Sequence, residues 1–511
     1  MTVESIKNRF IGATGAAETT KDVGPIPVDP SLPFGDIQNA WFDYMIDTAQ
    51  RSILFWNAMR QRGNIFLEHR AQGEPPILDF AHQIVLDARA FSRPANYALL
   101  RVLPKPGMTV DPRKRPFIIV DPRAGHGPGV GGMKEDSQVG VSLRAGHPTY
   151  FVMFYPEPMP NQTLGDVAAA EARFVEEVTT LHPESGGKPC VIGNCQAGWA
   201  VMALSAVEPG LMGPVVVCGS PMSYWAGVDG KNPMRYMGGL LGGAWITSLL
   251  CDLGGGQFDG ANLVANFERL NPANTLWAKP YNLYSNIDTE VERFLEFERW
   301  WTGFFLLTKE EMTQIVNDLF VGNKLQRGGI RLTGGAALDL KDITPPVVVF
   351  ASGGDNITPP QQALNWIVDV YGSEEEIKIH GQTIVYILHQ DIGHLGIFVS
   401  GKVAQKEHYE INEAVDFIDV LPPGLCRPED RYLSRFEPRT IADIRQLDDR
   451  QKDVEFFASS KLVSELNPRF YEAFVGPWVR LMVTEPLANT LRELQPLRLQ
   501  YRLLSDENPF L

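Results

Sequence analysis

The chain has 511 residues, 44% hydrophobic and 21% charged, the composition of a globular protein with room for one large decorated domain or several ordinary ones. A formal net charge of −15 sets the whole-molecule field against nucleic acid and anionic membrane, so neither is expected as a partner. The first ten residues lack the apolar core of a secretory signal, no apolar run is long enough to span a bilayer, and five cysteines without metal-ligand spacing argue against a disulfide framework or a metal site; a reducing cytoplasm fits.

In chain order, residues 1–110 read as an arm followed by helices. Residues 1–35 are rich in Gly, Pro and Thr and are expected to be poorly ordered. Trp41, Met45, Phe55, Trp56 and Met59 predict an amphipathic helix from Asn39 to about Arg70, and a second is expected over Phe80–Phe91. Residues 111–220 change character. Strands are expected at Pro116–Val120, Thr149–Phe154, Pro189–Gly193 and Pro214–Cys218, with helices at Leu164–Thr180 and Gln196–Val207. Apolar strands alternating with helices predict a mostly parallel sheet covered on both faces. The alternation stops over 221–340, a stretch holding Trp225, Trp245, Trp277, Trp300 and Trp301, which reads as an inserted helical cap. Residues 341–404 resume it with strands at Pro345–Ala351 and Thr383–Leu388, and 405–511 read as a charged helical extension.

The segment Gly193-Asn194-Cys195-Gln196-Ala197-Gly198 lies between a predicted strand and a predicted helix. It is a variant of the nucleophile elbow, in which small residues let the backbone turn tightly and present one side chain above a sheet. Ala197 stands where the strict pattern has its second glycine. The pattern alone does not exclude coincidence; its partners give it meaning. In an α/β-hydrolase fold the nucleophile is followed along the chain by an acid and then a histidine. Asp355 follows the strand ending at Ala351, and His394 follows the strand ending near Leu388. His394 is thus the candidate base for Cys195, and Asp355 the group that orients it. His389 and Asp391 are the nearest rivals for those roles. The glycine-rich stretch Asp121 to Gly132 admits two readings. Gly127–Gly132, with Glu157 further on, has the spacing of a dinucleotide loop, but Pro128 and the distance from the strand count against it. The same loop can supply an oxyanion N–H, so Arg123 and Ala124 join Gln196 as oxyanion candidates, and no cofactor is expected.

These motifs, together with Leu319-Phe320-Val321-Gly322-Asn323-Lys324-Leu325 and Gly354-Asp355-Asn356-Ile357-Thr358-Pro359, resemble the polyhydroxyalkanoate synthases. The resemblance is closer to an uncharacterised sister family described as 3-hydroxyalkanoate-synthetase-like, and it runs from about Pro116 to Lys402. It implies that Cys195 carries an acyl group as a thioester, with His394 as base and Asp355 assisting. It also implies a 3-hydroxyacyl-CoA substrate and a dimeric active form. Ala197, the loop around His126 and the segment from Gln405 to Leu511 depart from the synthase pattern. The helix Asp47 to Trp56 looks more like a phasin, which keeps a polyester granule surface among the expected partners. Acyl transfer is the leading expectation. A thioesterase, esterase or polyester depolymerase using the same triad is the alternative, and a non-catalytic granule-associated protein is a third.

Overall fold

The computed structural model describes residues 34–228, 234–331, 337–428, 436–447 and 453–509. The arm expected over 1–35 lies outside them, apart from Phe34 and Gly35. The strands are β1 (His82–Asp87), β2 (Tyr97–Val102), β3 (Phe117–Val120), β4 (Thr149–Phe154), β5 (Cys190–Asn194), β6 (Val215–Cys218), β7 (Gln257–Asp259), β8 (Leu306–Thr308), β9 (Val347–Ser352), β10 (Thr383–His389), β11 (Gly424–Pro428) and β12 (Phe436–Pro438).

Ten of these form one sheet in the order β1-β2-β4-β3-β5-β6-β9-β10-β11-β12, while β7 and β8 pair separately. From β4 through β11 neighbours run parallel; β1, β2 and β12 pair antiparallel. The order from β1 to β10 is that of the α/β-hydrolase fold. Every residue of β3, β4, β5, β6 and β9 is buried. Successive side chains on a strand point to opposite faces, so both faces of this sheet are covered, as its Val- and Ile-rich strands require.

Two segments differ from expectation. The stretch Phe80–Phe91, read as helical, is instead β1 followed by a single 3₁₀ turn, Ala88–Ala90. Pairing decides it: β-branched Ile84 and Val85 lie in a strand whose register runs from His82 opposite Val102 to Asp87 opposite Ala98. The segment after Ala404, read as helical, also contributes β11 and β12 to the sheet edge.

The chain divides into two compact units. Residues 75–260 and 304–492 form the unit that holds the sheet. The other contains, of the described residues, 34–74, 261–303 and 493–509. Its backbone is the helix Phe34–Ala71, whose Ala58, Phe55 and Met59 pack against Leu283, Ile287, Val291 and Phe294. Arg62 meets Glu298 at 3.5 Å in its interior, and Arg70 binds Glu493 at 2.8 Å. Among the described residues no helix is long and apolar enough to cross a membrane.

Candidate active site

β5 delivers Cys195 to the N-terminus of the helix Gln196–Val207 at a backbone conformation of φ 47°, ψ −119°. A side chain at positive φ costs about 1–3 kcal/mol, a strain that the surrounding structure must hold in place. Hydrogen bonds on both sides do so: the Cys195 N–H donates to the Cys218 carbonyl at 2.9 Å, and the Gly198 N–H donates to the Cys195 carbonyl at 3.1 Å. Close packing restricts the turn further. A Cβ on Gly193 would lie 2.6 Å from the Gly198 Cα, and one on Gly198 would lie 1.8 Å from the Ser220 Oγ. The second position that must lack a side chain is therefore 198, which explains why alanine is accommodated at 197.

The partners come from two adjacent loops. His394 opens the short helix His394–Val399 beyond β10, and Asp355 lies in the turn beyond β9. The His394 Nε2 is 3.3 Å from the Cys195 Sγ, and its Nδ1 donates to the Asp355 Oδ2 at 2.7 Å. The other carboxylate oxygen of Asp355 accepts from the Ile357 and Thr358 N–H groups, both at 2.8 Å. All three side chains are buried. Burial works against a charge on His394, but Asp355 and Cys195 outweigh it and push the imidazole up to about 10. The rivals lie elsewhere: His389 ends β10 with Asp391 at 3.3 Å and Glu407 at 3.6 Å. Sequence reading missed Ser352, whose hydroxyl donates to the Ile392 carbonyl at 2.6 Å and ties the loop of Asp355 to that of His394.

The oxyanion candidates separate. Gln196 opens its helix, where N–H groups have no intrahelical acceptor. The Ala124 N–H is turned into its own loop and donates to the Pro122 carbonyl at 2.5 Å. No described group accepts from the Arg123 main-chain N–H. The Arg123 side chain points to Glu311, forming a buried ion pair, and donates to the Leu306 carbonyl at 3.0 Å. Burial opposes the guanidinium charge and Glu311 more than restores it. Glu311 in turn accepts from Gln162 at 2.7 Å and caps its own helix through Thr308. The glycine-rich loop does not form a tight strand-turn-helix, since the next helix starts only at Gln138. It folds around Asp121, which accepts from the Gly129 and Val130 N–H groups at 2.8 and 2.7 Å. Gln138 also exchanges two hydrogen bonds with Asn194, at 2.9 and 2.6 Å, bracing the residue before Cys195. All five cysteines are free thiols; burial raises Cys218 and Cys251.

Residues 47–511 match the family model described as Protein of unknown function (DUF3141). The chain belongs to that family. An uncharacterized protein in the ackA 5' region of Rhizobium meliloti is 52% identical over 501 residues, covering 95% of this chain and 68% of that protein. The poly(3-hydroxyalkanoate) polymerase subunit PhaC of Allochromatium vinosum is 30% identical over 224 residues, 42% of this chain and 56% of that subunit. The corresponding subunit of Thiocystis violacea matches at 30% over 225 residues. The chain thus spans a little over half the length of the polymerase subunits that it matches. Among solved structures, a monoacylglycerol lipase from Paleococcus ferrophilus is 15% identical with a TM-score of 0.38, over 63% of this chain and 99% of the lipase.

Proposed function

We propose that Cys195, His394 and Asp355 act as nucleophile, base and orienting acid in acyl transfer through a cysteine thioester. The observation that carries this reading is the continuous chain of contacts from the Asp355 carboxylate through the imidazole to the Sγ, built at a strained strand-to-helix turn. In the first half-reaction the Sγ attacks a thioester carbonyl, the carbon–sulfur bond to the leaving thiol breaks, and that thiol takes the proton held on His394 Nε2. In the second, an acceptor hydroxyl gives its proton to His394 as its oxygen attacks the Cys195 acyl group, and the thiolate departs. Asp355 faces the imidazolium while His394 is charged, and keeps the neutral ring in one tautomer between the two half-reactions. The Gln196 N–H and the Arg123 main-chain N–H are the oxyanion donors in this scheme.

The donor is a 3-hydroxyacyl-CoA. Support for that substrate comes from the 30% identity to polymerase subunits, together with the burial of Cys195, which limits the access of water to the acyl-enzyme. A role at a polyester surface would fall to the helix Phe34–Ala71, where Ile37, Trp41, Phe42, Met45, Ile53 and Trp56 are exposed.

Incubation with 3-hydroxybutyryl-CoA should release CoA, place an acyl group of matching mass on Cys195, and end in oligomeric product. Cys195→Ala should lose at least about 10³-fold in rate. Full activity in that variant would overturn the mechanism. Free acid as the sole product would assign water as the acceptor and make the enzyme a hydrolase.

A further inference from the structure

The polar groups around the first turn of the nucleophile helix are unevenly satisfied. Gln196, Ala197 and Trp199 line a cavity of about 40 Å³ together with Tyr97, Arg123 and Glu171. That is room for a water or for a substituent of a few heavy atoms. Glu171 lies on the helix Leu164–Leu181, in the buried stripe that also holds Val167, Ala170, Phe174 and Val178. It is 6% exposed, and among the described residues no hydrogen bond or ion pair reaches its carboxyl group. Trp199 is 5% exposed, and among the described residues neither its indole N–H nor the Arg123 Nε–H has a partner. A buried carboxyl group and two buried donors without partners would each cost about 1–3 kcal/mol if they stayed that way. Their side chains all line one cavity, beside the residues that follow Cys195.

Charge narrows the ligand. Glu311 already neutralises Arg123. Burial pushes Glu171 up to about 8 and raises Asp121, at the same cavity wall, well above its ordinary range. At neutral pH the lining is close to uncharged overall, which suits neither an anion nor a cation. It offers fixed donors from Trp199 and Arg123 and a carboxyl group that can accept. An alcohol oxygen accepts from the first two while its hydrogen is donated to the third.

We propose that this cavity is a hydroxyl-binding subsite for the acyl group, in which Glu171 and Trp199 hold a hydroxyl carried a few bonds from the thioester carbonyl. The inference rests on the acyl-transfer reading and adds the residues that tell a hydroxyacyl group from a plain one. A site built to bond a hydroxyl rejects the deoxy analogue because its own polar groups are then left bare.

The test compares kcat/KM for 3-hydroxybutyryl-CoA and butyryl-CoA in the full chain and in three variants. The wild type should prefer the hydroxylated ester. Glu171→Leu should lower that preference by about tenfold, Trp199→Phe should lower it by a smaller factor, and Glu171→Gln, which keeps a donor and an acceptor, should preserve most of it. An unchanged preference in both Glu171→Leu and Trp199→Phe overturns the subsite. So does an intact preference accompanied by weaker saturation with the acceptor alcohol, which would assign the cavity to the acceptor. If neither CoA ester turns over, the proposed function fails and the subsite is judged by binding alone, with 3-hydroxybutyramide and butyramide as probes in ligand-observed NMR. Binding that requires the hydroxyl and disappears in Glu171→Leu upholds it; equal binding of the two amides, or none, overturns it.

Discussion

Asp121 and Asp355 begin from the same local chemistry. Each follows a strand of the central sheet, each is almost fully buried, and each accepts two main-chain N–H bonds of 2.7–2.8 Å from the loop it organises. They differ in what reaches the other oxygen. Asp355 meets the His394 imidazole at 2.7 Å, whereas no hydrogen bond reaches the second oxygen of Asp121 among the described residues. One carboxylate therefore has a partner whose charge it can stabilise. The other is pushed well above the usual carboxylate range by burial, with its two main-chain bonds opposing. A carboxyl group in a turn after a strand is a folding device in both places; only Asp355 also meets a histidine, from the segment that follows the neighbouring strand β10.

The comparison can be broken at three points. Asp355→Asn should give the largest effect, a fall of about 10⁴-fold in kcat with the fold intact, because the amide favours the wrong tautomer of His394. Stopped-flow measurement of CoA release would read it, and a fall below about tenfold would reduce Asp355 to the standing of Asp121. Ser352→Ala should lower the rate of acylation of Cys195 by about tenfold, since it releases the contact that holds the two loops in register. Mass-spectrometric timing of the acyl adduct checks this, and an unchanged rate would mean that the loops are held by their other contacts. Asp121→Asn should change the rate by less than about threefold, because an amide oxygen still accepts from Gly129 and Val130. Its signature is in stability. A carboxyl group raised in the folded state contributes stability below its unfolded value, about 3.9, and loses it as pH rises toward the folded value. Thermal unfolding across a pH series should therefore show Asp121→Asn gaining on the wild type as pH increases above about 4. A constant difference would mean that Asp121 is ionised in the native protein.

Much of the candidate site was legible because each of its parts is local. Cys195, Asp355 and His394 each follow a short β-branched or apolar run, and those runs became β5, β9 and β10. What stayed hidden depends on pairing across long separations. Nothing near Arg123 announces Glu311, 188 residues away, as the acceptor that turns its side chain from the glycine-rich loop. Phe80–Phe91 could be read as a helix because a strand at the end of a sheet is defined by its neighbour, and Tyr97–Val102 carries no turn signal strong enough to announce it. Glu171 had a weaker signal, a lone acid inside an otherwise apolar helical stripe, whose meaning depends on Trp199 facing the same cavity.

The close approach of Gly198 to Ser220 also bears on how such turns are found in sequences. A pattern scan written as Gly-x-nucleophile-x-Gly passes over this chain, because it places the second glycine one residue too early. Scored by where an added Cβ would come within 3 Å of a neighbour, the turn has both of its small residues: Gly193 against the helix, and Gly198 against the loop after β6. A side chain at 198, by contrast, would meet Ser220 and could not be held in this turn as it is built.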